Sequence, residues 1–259
     1  MKLGVNIDHV AVLREARRVN DPDLLHAMFV ACQSGADQIT IHLREDRRHI
    51  QDADLHAIMA HSSLPINLEC SLDRAILGIT AVAKPHRATL VPEKREEVTT
   101  EGGLDLVSNQ SSLRYAIDLL HDHQIPISLF VDPHIETIQL ASELGVEMVE
   151  LHTGLFANIF AMLNGSLRAS HHSLKELNLP RSELALKLED AIAEIAKAAK
   201  EAKRLGLEVA AGHGLNYANV HLIKNIKEIE ELNIGQSIVA RSIFCGLDRA
   251  IKDMLNLLK

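Results

Sequence analysis

Short apolar runs alternate along the chain with segments in which apolar residues recur at helical spacing. Apolar runs bounded by turn residues predict buried strands, and a spacing of three to four positions predicts amphipathic helices. The predicted strands are 3–7, 39–41, 65–68, 88–91, 127–131, 147–151, 207–211 and 231–234. Strands that alternate with helices in this way form a parallel sheet, because each helix returns the chain to the start of the next strand.

Capping residues predict where several helices begin. Asp21-Pro22 predicts a helix start, with the aspartate as N-cap and the proline in the first turn. Asn216 predicts another helix start, after the seventh strand. The alternation is broken at 155–182, which we interpret as an insertion that contains a short helix over 157–163.

Strand–helix units of this number and length predict the fold class α/β, and within it a (β/α)8 TIM barrel that forms one domain over 1–259. The extra helices include those of the insertion at 155–182. An open doubly wound sheet is the alternative architecture. The glycine fingerprint that such sheets use for dinucleotides does not follow the first strand, which favours the barrel.

Net charge and cysteine spacing argue against several classes of partner and site. The net charge of −8 argues against nucleic acid or an anionic membrane as a partner, so any anion binding has to be local. The three cysteines are far apart in the sequence and form no metal-type or redox-type pair. No leader-like or membrane-spanning apolar run is present, so we expect a cytoplasmic enzyme that acts on small molecules.

Ionisable and amide side chains lie at the ends of the predicted strands. They are Asn6, Asp8 and His9 at strand one, His42 at strand two, Glu69 at strand three, Glu150 and His152 at strand six, and His213 at strand seven. Each has an ordinary explanation: Asp8 as a cap, His152 bonded to a carbonyl, Glu150 paired with an arginine. Because the carboxyl ends of barrel strands form one mouth, their repetition predicts an active site with acid–base groups.

Two regions are suited to bind phosphate. Arg44 and His49 follow the second strand, and arginine matches the geometry of phosphate oxygens. Glycines at 211–214 and 233–237 allow backbone N–H groups to approach an anion, and a helix beginning near Ser237 would direct its N-terminus there. No strand ends in lysine, so an amine for carbonyl chemistry belongs to a substrate. We expect no metal, because arginines surround His42 and His49 and disfavour a divalent cation nearby.

A set of motifs covers almost the whole chain outside 155–182: GVNIDHVAVLREAR, TIHLREDRRHI, NLE, LVPEKREEVTTEGGLD, ELHTG, AGHGL and ELNIG. Together they resemble the pyridoxine 5′-phosphate synthase family. The resemblance implies a barrel that assembles as a homo-octamer. It implies condensation of 3-amino-2-oxopropyl phosphate with 1-deoxy-D-xylulose 5-phosphate, giving pyridoxine 5′-phosphate, inorganic phosphate and water. It also implies that the reaction needs no cofactor.

The resemblance also implies roles for individual residues. The catalytic set is His42 and Glu69 as proton acceptors, His213 as proton donor and Glu150 as the stabilising carboxylate. The aminoketone phosphate is expected at Asn6, Arg17, Gly214, Gly235 and Gln236, and the deoxyxylulose phosphate at Asp8, His9, Arg44, His49 and Thr99. The loop at 93–103 is expected to act as a lid.

Two features depart from the family pattern. Gln236 stands where the family often has histidine, and the segment 155–182 is longer than expected. Two other functions therefore stay open at this point. One is a metal-dependent barrel lyase that acts on a phosphorylated sugar, and the other is a barrel that binds phosphorylated metabolites without turnover.

Overall fold

Eight parallel strands close into a barrel within residues 1–93 and 102–259, which are the residues that the computed structural model describes. The strands pair in sequence order, and β1 closes the barrel by pairing with β8. They are β1 Lys2–Asn6, β2 Gln38–His42, β3 Ile66–Cys70, β4 Arg87–Leu90, β5 Ile127–Val131, β6 Met148–His152, β7 Glu208–Gly212 and β8 Glu231–Ile234. The predicted TIM barrel is confirmed.

Helices surround the barrel and follow the strands in turn. They are α1 Asp8–Glu15, α2 Leu24–Ser34, α3 Asp52–His61, α4 Arg74–Ala83, α5 Gln110–Asp122, α6 Ile135–Glu143, α7 Gly154–Asn164, α8 Arg181–Arg204, α9 Val220–Ile223, α10 Gln236–Cys245 and α11 Leu247–Leu258. Between α7 and α8 the chain forms two short 3-10 turns, Leu167–Ala169 and Lys175–Leu177. Among the described residues, every helix is too short or too polar to cross a membrane.

Two predicted helix starts were wrong. Asp23, not Asp21, is the N-cap of α2, because its side chain accepts a hydrogen bond from the Leu25 N–H at 2.9 Å. Asp23 lies next to the apolar residues that α2 buries, whereas Asp21-Pro22 precedes them. Asn216 organises a turn by accepting from the Ala218 N–H at 2.8 Å, and α9 begins only at Val220.

Polar side chains fill the inside of the barrel, while aliphatic side chains pack between strands and helices. Successive side chains of a strand point to opposite faces, so Gln38 and Thr40 face inward while Ile39 and Ile41 face the helices. Arg87 on β4 reaches across to pair with Glu231 on β8. Buried polar groups need partners, and this network supplies them for Gln38, Thr40 and Arg87.

Candidate active site

A cavity of about 350 Å³ lies at the carboxyl ends of the strands. It is lined by most of the residues predicted for the site: Asn6, Asp8, His9, His42, Arg44, His49, Glu69, Glu150, His213, Gly214, Gly235 and Gln236. These residues come from both ends of the sequence, and the closed barrel brings them to one mouth. His152, one of the strand-end residues that predicted the site, also lines the cavity without an assigned role. Phe130 and Asn233 line it as well and were not predicted for the site.

Two predicted residues are not placed in the cavity. Arg17 lies in the exposed turn that follows α1 and does not line the cavity. Its assignment to a phosphate stays a prediction. Thr99 lies outside the described residues, as does most of the loop at 93–103 that was predicted to be a lid.

His42 and Glu69 are neighbours because β2 and β3 pair in register at these two positions. His42 Nδ1 lies 3.9 Å from Glu69 Oε2, and His42 Nε2 lies 3.2 Å from Glu93 Oε1. The Asp8 carboxylate accepts the His42 backbone N–H at 2.9 Å and so fixes the end of β2. The imidazole is therefore held between two carboxylates, an arrangement suited to accepting and returning a proton.

Glu93 was not predicted for the site. Its carboxylate also accepts the Glu45 backbone N–H, at 3.1 Å and 3.2 Å, so it links the end of β4 to the segment after β2. The signal for this role in the sequence is weak, since Glu93 is one of several charged residues that follow β4.

The backbone at the end of β7 is held in an uncommon conformation. His213 has φ 76° and Gly214 has φ 79°. Histidine enters this left-handed region more readily than most residues, and such strain concentrates at functional sites. The Thr153 hydroxyl stabilises the turn with its single proton, which is shared between the carbonyl oxygens of Gly212, at 2.7 Å, and His213, at 2.6 Å. Position 214 requires glycine, because a Cβ there would lie 2.5 Å from the Ala157 Cβ.

Glu150 projects from β6 into the barrel and is buried, with 3% of its surface exposed. Its Oε2 accepts a hydrogen bond from Asn233 Nδ2 at 2.7 Å. Burial raises the pKa of Glu150 to about 7, and the like charge of Glu231 adds to the rise, while the Asn233 hydrogen bond and the Arg87 charge oppose it. Gly212 leaves room for this carboxyl group, since a Cβ at that position would collide with Oε1.

The N-terminus of α10 forms one wall of the cavity, and its geometry is suited to bind an anion. α10 begins at Gln236 with Gly235 as its N-cap, one residue before the predicted start at Ser237. The N–H groups of a first helical turn have no partner within the helix and favour an anion. Gly235 packs closely on Asn6. A Cβ at position 235 would lie only 2.9 Å from the Asn6 Cβ, so this close approach requires glycine.

The segment after β2 forms a second wall, separated from the first by the end of β1. Arg44 is 4% exposed and His49 is 2% exposed, so both are buried cationic or polar groups facing the cavity. His49 Nδ1 accepts the Ile50 N–H at 2.8 Å, which places the proton of the neutral ring on Nε2. Arg14 supports this wall by bonding the His49 carbonyl at 3.0 Å and Asp54 at 2.7 Å.

The other two arginines of this segment are engaged elsewhere. Arg47 pairs with Asp52 at 2.9 Å, and Arg48 pairs with Asp46 at 2.7 Å. Neither lines the cavity. Their ion pairs shape the segment, whereas Arg44 is the arginine of the segment that faces the cavity.

The comparisons with known proteins agree with this geometry. The model of a family described as "Pyridoxal phosphate biosynthesis protein PdxJ" matches residues 3–259. The chain belongs to this family. A pyridoxine 5′-phosphate synthase of Sulfurimonas denitrificans is 68% identical over 257 residues, covering 99% of each chain. One of Aliarcobacter butzleri is 61% identical over 259 residues, covering 100% of this chain and 99% of the other.

These relatives also settle two points about the chain. They carry the name of a synthase, and the prediction that the chain is an enzyme is confirmed. The alignments cover at least 99% of this chain and of each relative, so the chain and its relatives agree in length to within a few residues. The segment 155–182 is therefore not an extra length that the relatives lack.

Solved structures with the same fold are distant in sequence. A thiamine phosphate pyrophosphorylase from Pyrococcus furiosus has a TM-score of 0.58 at 12% identity, covering 99% of this chain and 95% of that one. A 3-hexulose-6-phosphate synthase has a TM-score of 0.58 at 14% identity, covering all of both chains. At these identities the likeness concerns the fold alone.

Proposed function

We propose that the chain is a pyridoxine 5′-phosphate synthase, which condenses 3-amino-2-oxopropyl phosphate with 1-deoxy-D-xylulose 5-phosphate. The products are pyridoxine 5′-phosphate, inorganic phosphate and water. The observation that carries the proposal is that one cavity is lined both by acid–base groups and by two walls suited to bind anions. A reaction that joins two phosphorylated substrates and moves several protons needs both features.

The acid–base groups support a sequence of imine formation, elimination and formation of the carbon–carbon bond that closes the ring. The amine of the aminoketone attacks the ketone of the deoxyxylulose phosphate, so no lysine of the protein is required. His42 and Glu69 accept protons as water and phosphate are lost, and His213 donates a proton to a leaving oxygen. Glu150, with a pKa raised to about 7 by burial, stabilises charge that develops on the substrate.

The two walls support separate sites for the two phosphates. The N–H groups of Gly214, Gly235 and Gln236 would hold the phosphate ester of the aminoketone, which the product keeps. Arg44 and His49, with Asp8 and His9, would hold the deoxyxylulose phosphate, which leaves as inorganic phosphate. Gln236 offers an amide and a backbone N–H for binding but no group for proton transfer near pH 7.

A two-substrate assay in the presence of EDTA tests the proposal. We expect a pyridine chromophore and inorganic phosphate to form together. His42→Asn should abolish both, whereas His56→Asn, which makes the same change on the exposed side of α3, should abolish neither. Loss of activity under EDTA, with recovery on adding a divalent metal, would favour a metal-dependent lyase. Binding of both substrates without turnover would favour a non-catalytic binding barrel.

We propose further that the enzyme is a homo-octamer and acts in the cytoplasm. Ile243 and Phe244 at the end of α10 are 66% and 90% exposed, and exposed apolar groups of this size favour burial against another protein surface. Sedimentation equilibrium measures the assembly directly. An octameric mass is the expected result, and a monomeric mass at micromolar concentration would contradict it.

A further inference from the structure

His152 is a second histidine beside His213, and the mechanism above does not use it. It ends β6, is 6% exposed and lines the cavity. Its ring centroid lies 5.0 Å from that of His213 and 5.0 Å from that of Phe130, in edge-on arrangements that fix its plane. A hydrogen bond joins its Nδ1 to Asp132 Oδ1 at 3.0 Å, so its partner is a carboxylate and not a backbone carbonyl.

Asp132 determines which nitrogen of His152 carries the proton. The hydrogen bond from His152 holds the pKa of Asp132 below its ordinary value, and the Gly103 N–H, at 3.0 Å from Oδ1, acts in the same direction. Asp132 is therefore a carboxylate, which only accepts hydrogen bonds. Nδ1 of His152 must donate, and the neutral ring keeps its lone pair on Nε2.

The backbone at Gly102 and Gly103 packs closely against Asp132. A Cβ at Gly103 would collide with the Asp132 backbone nitrogen, and a Cβ at Gly102 would lie 2.9 Å from Asp132 Oδ2. The two glycines allow this segment to reach the carboxylate, so Asp132 is held from two sides. A histidine oriented by a carboxylate in this way presents its other nitrogen in a defined direction.

Nε2 of His152 is buried and has no hydrogen-bond partner among residues 1–93 and 102–259. A buried polar atom without a partner is unfavourable, and such atoms in native proteins call for an explanation. Because His152 lines the cavity, a bound ligand can supply the missing donor. The dianion of a phosphate ester cannot do so, because its oxygens carry no proton to donate.

We propose that His152 is a further substrate-contacting residue, whose Nε2 accepts a hydrogen bond from an N–H or O–H group of the substrate bound against His213. The ligand chemistry is thus an amine or hydroxyl group on the part of the substrate that lies away from its phosphate. The inference rests on the proposed function for the identity of that substrate. It adds Asp132 as a positioning residue that acts through His152.

Nitrogen NMR of the 15N-histidine-labelled protein tests the first half of the proposal without any turnover. The His152 resonances are assigned by their loss in His152→Gln. We expect a protonated Nδ1 and an unprotonated Nε2 in the protein without ligand. Pyridoxine 5′-phosphate, which carries hydroxyl groups, should shift the Nε2 resonance at pH 8, and methyl phosphate, whose dianion has no hydrogen-bond donor, should not. A protonated Nε2, or an equal response to both ligands, would overturn the proposal.

Kinetics of His152→Asn test the second half. The asparagine amide keeps a donor for Asp132 but has no atom at the position of Nε2. We expect kcat/KM to fall at least about tenfold, the loss of one substrate hydrogen bond, with the affinity for inorganic phosphate unchanged. An unchanged kcat/KM in a folded variant would overturn the proposal. An inactive unsubstituted enzyme would instead refute the proposed function, so the two failures are distinguishable.

Discussion

Replacing Glu150 with glutamine should stabilise the protein at alkaline pH relative to the unsubstituted chain, but not at acid pH. Glutamine keeps the shape of the side chain and an oxygen for the Asn233 amide, which donates to Glu150 at 2.7 Å. It removes the buried charge that Glu150 acquires when it loses its proton. The perturbation therefore isolates the effect of that charge on folding.

The magnitude follows from the pKa of Glu150, which burial raises from 4.5 to about 7. A tenfold change in a proton-binding constant is worth about 1.4 kcal/mol, so ionising Glu150 destabilises the folded state by ~3 kcal/mol. Because the folded pKa is the higher one, the folded state holds the proton more tightly. Stability is then lost as pH rises through the window from about 4.5 to about 7, and the loss is complete above it.

Urea unfolding of both proteins at one fixed protein concentration measures this loss. The free-energy difference between Glu150→Gln and the unsubstituted chain should grow in favour of the variant by ~2–3 kcal/mol between pH 5 and pH 8. Glu189→Gln, the same change on the exposed face of α8, is the matched control and should show no such trend. A pH-independent difference for Glu150→Gln would refute the reasoning that Glu150 is a buried carboxyl with a raised pKa.

Three further substitutions probe the site. His213→Asn should abolish turnover yet leave phosphate affinity by calorimetry nearly unchanged, since asparagine also tolerates the left-handed backbone at φ 76°; normal turnover would remove His213 from the mechanism. Arg44→Ala should weaken substrate binding by ~1.5–3 kcal/mol in the same calorimetric measurement, and an unaltered affinity would contradict its anion-binding role. Thr153→Val should destabilise the protein by ~1–3 kcal/mol in urea and lower kcat, because the His213 carbonyl loses its hydroxyl donor; a stable and fully active variant would be inconsistent with that support.

The barrel could be predicted from the sequence because its hydrophobic pattern is local. The predicted strands 127–131 and 231–234 have the bounds that the structure gives to β5 and β8. Helix starts were harder, since two aspartates close together near α2 are both acceptable caps and only packing selects Asp23.

Only those site residues that lie at strand ends could be predicted from the sequence. His42, Glu69 and His213 were found because they end strands of a barrel, whose mouth gathers such residues. Asp132 and Glu93 were missed because their roles depend on which loops meet in space. The sequence did indicate that Asn233 points into the barrel, because polar residues at 231 and 233 alternate with apolar residues along the strand.

The central claim is that acid–base groups from separate strands and two anion-binding walls serve one pair of ligands. A crystal structure of the protein with pyridoxine 5′-phosphate and inorganic phosphate tests it most directly. We predict the pyridine ring between His42 and His213, the phosphate ester against the N–H groups of Gly235 and Gln236, and inorganic phosphate against Arg44. Ligands bound away from this cavity, or a ring in contact with neither histidine, would contradict the account.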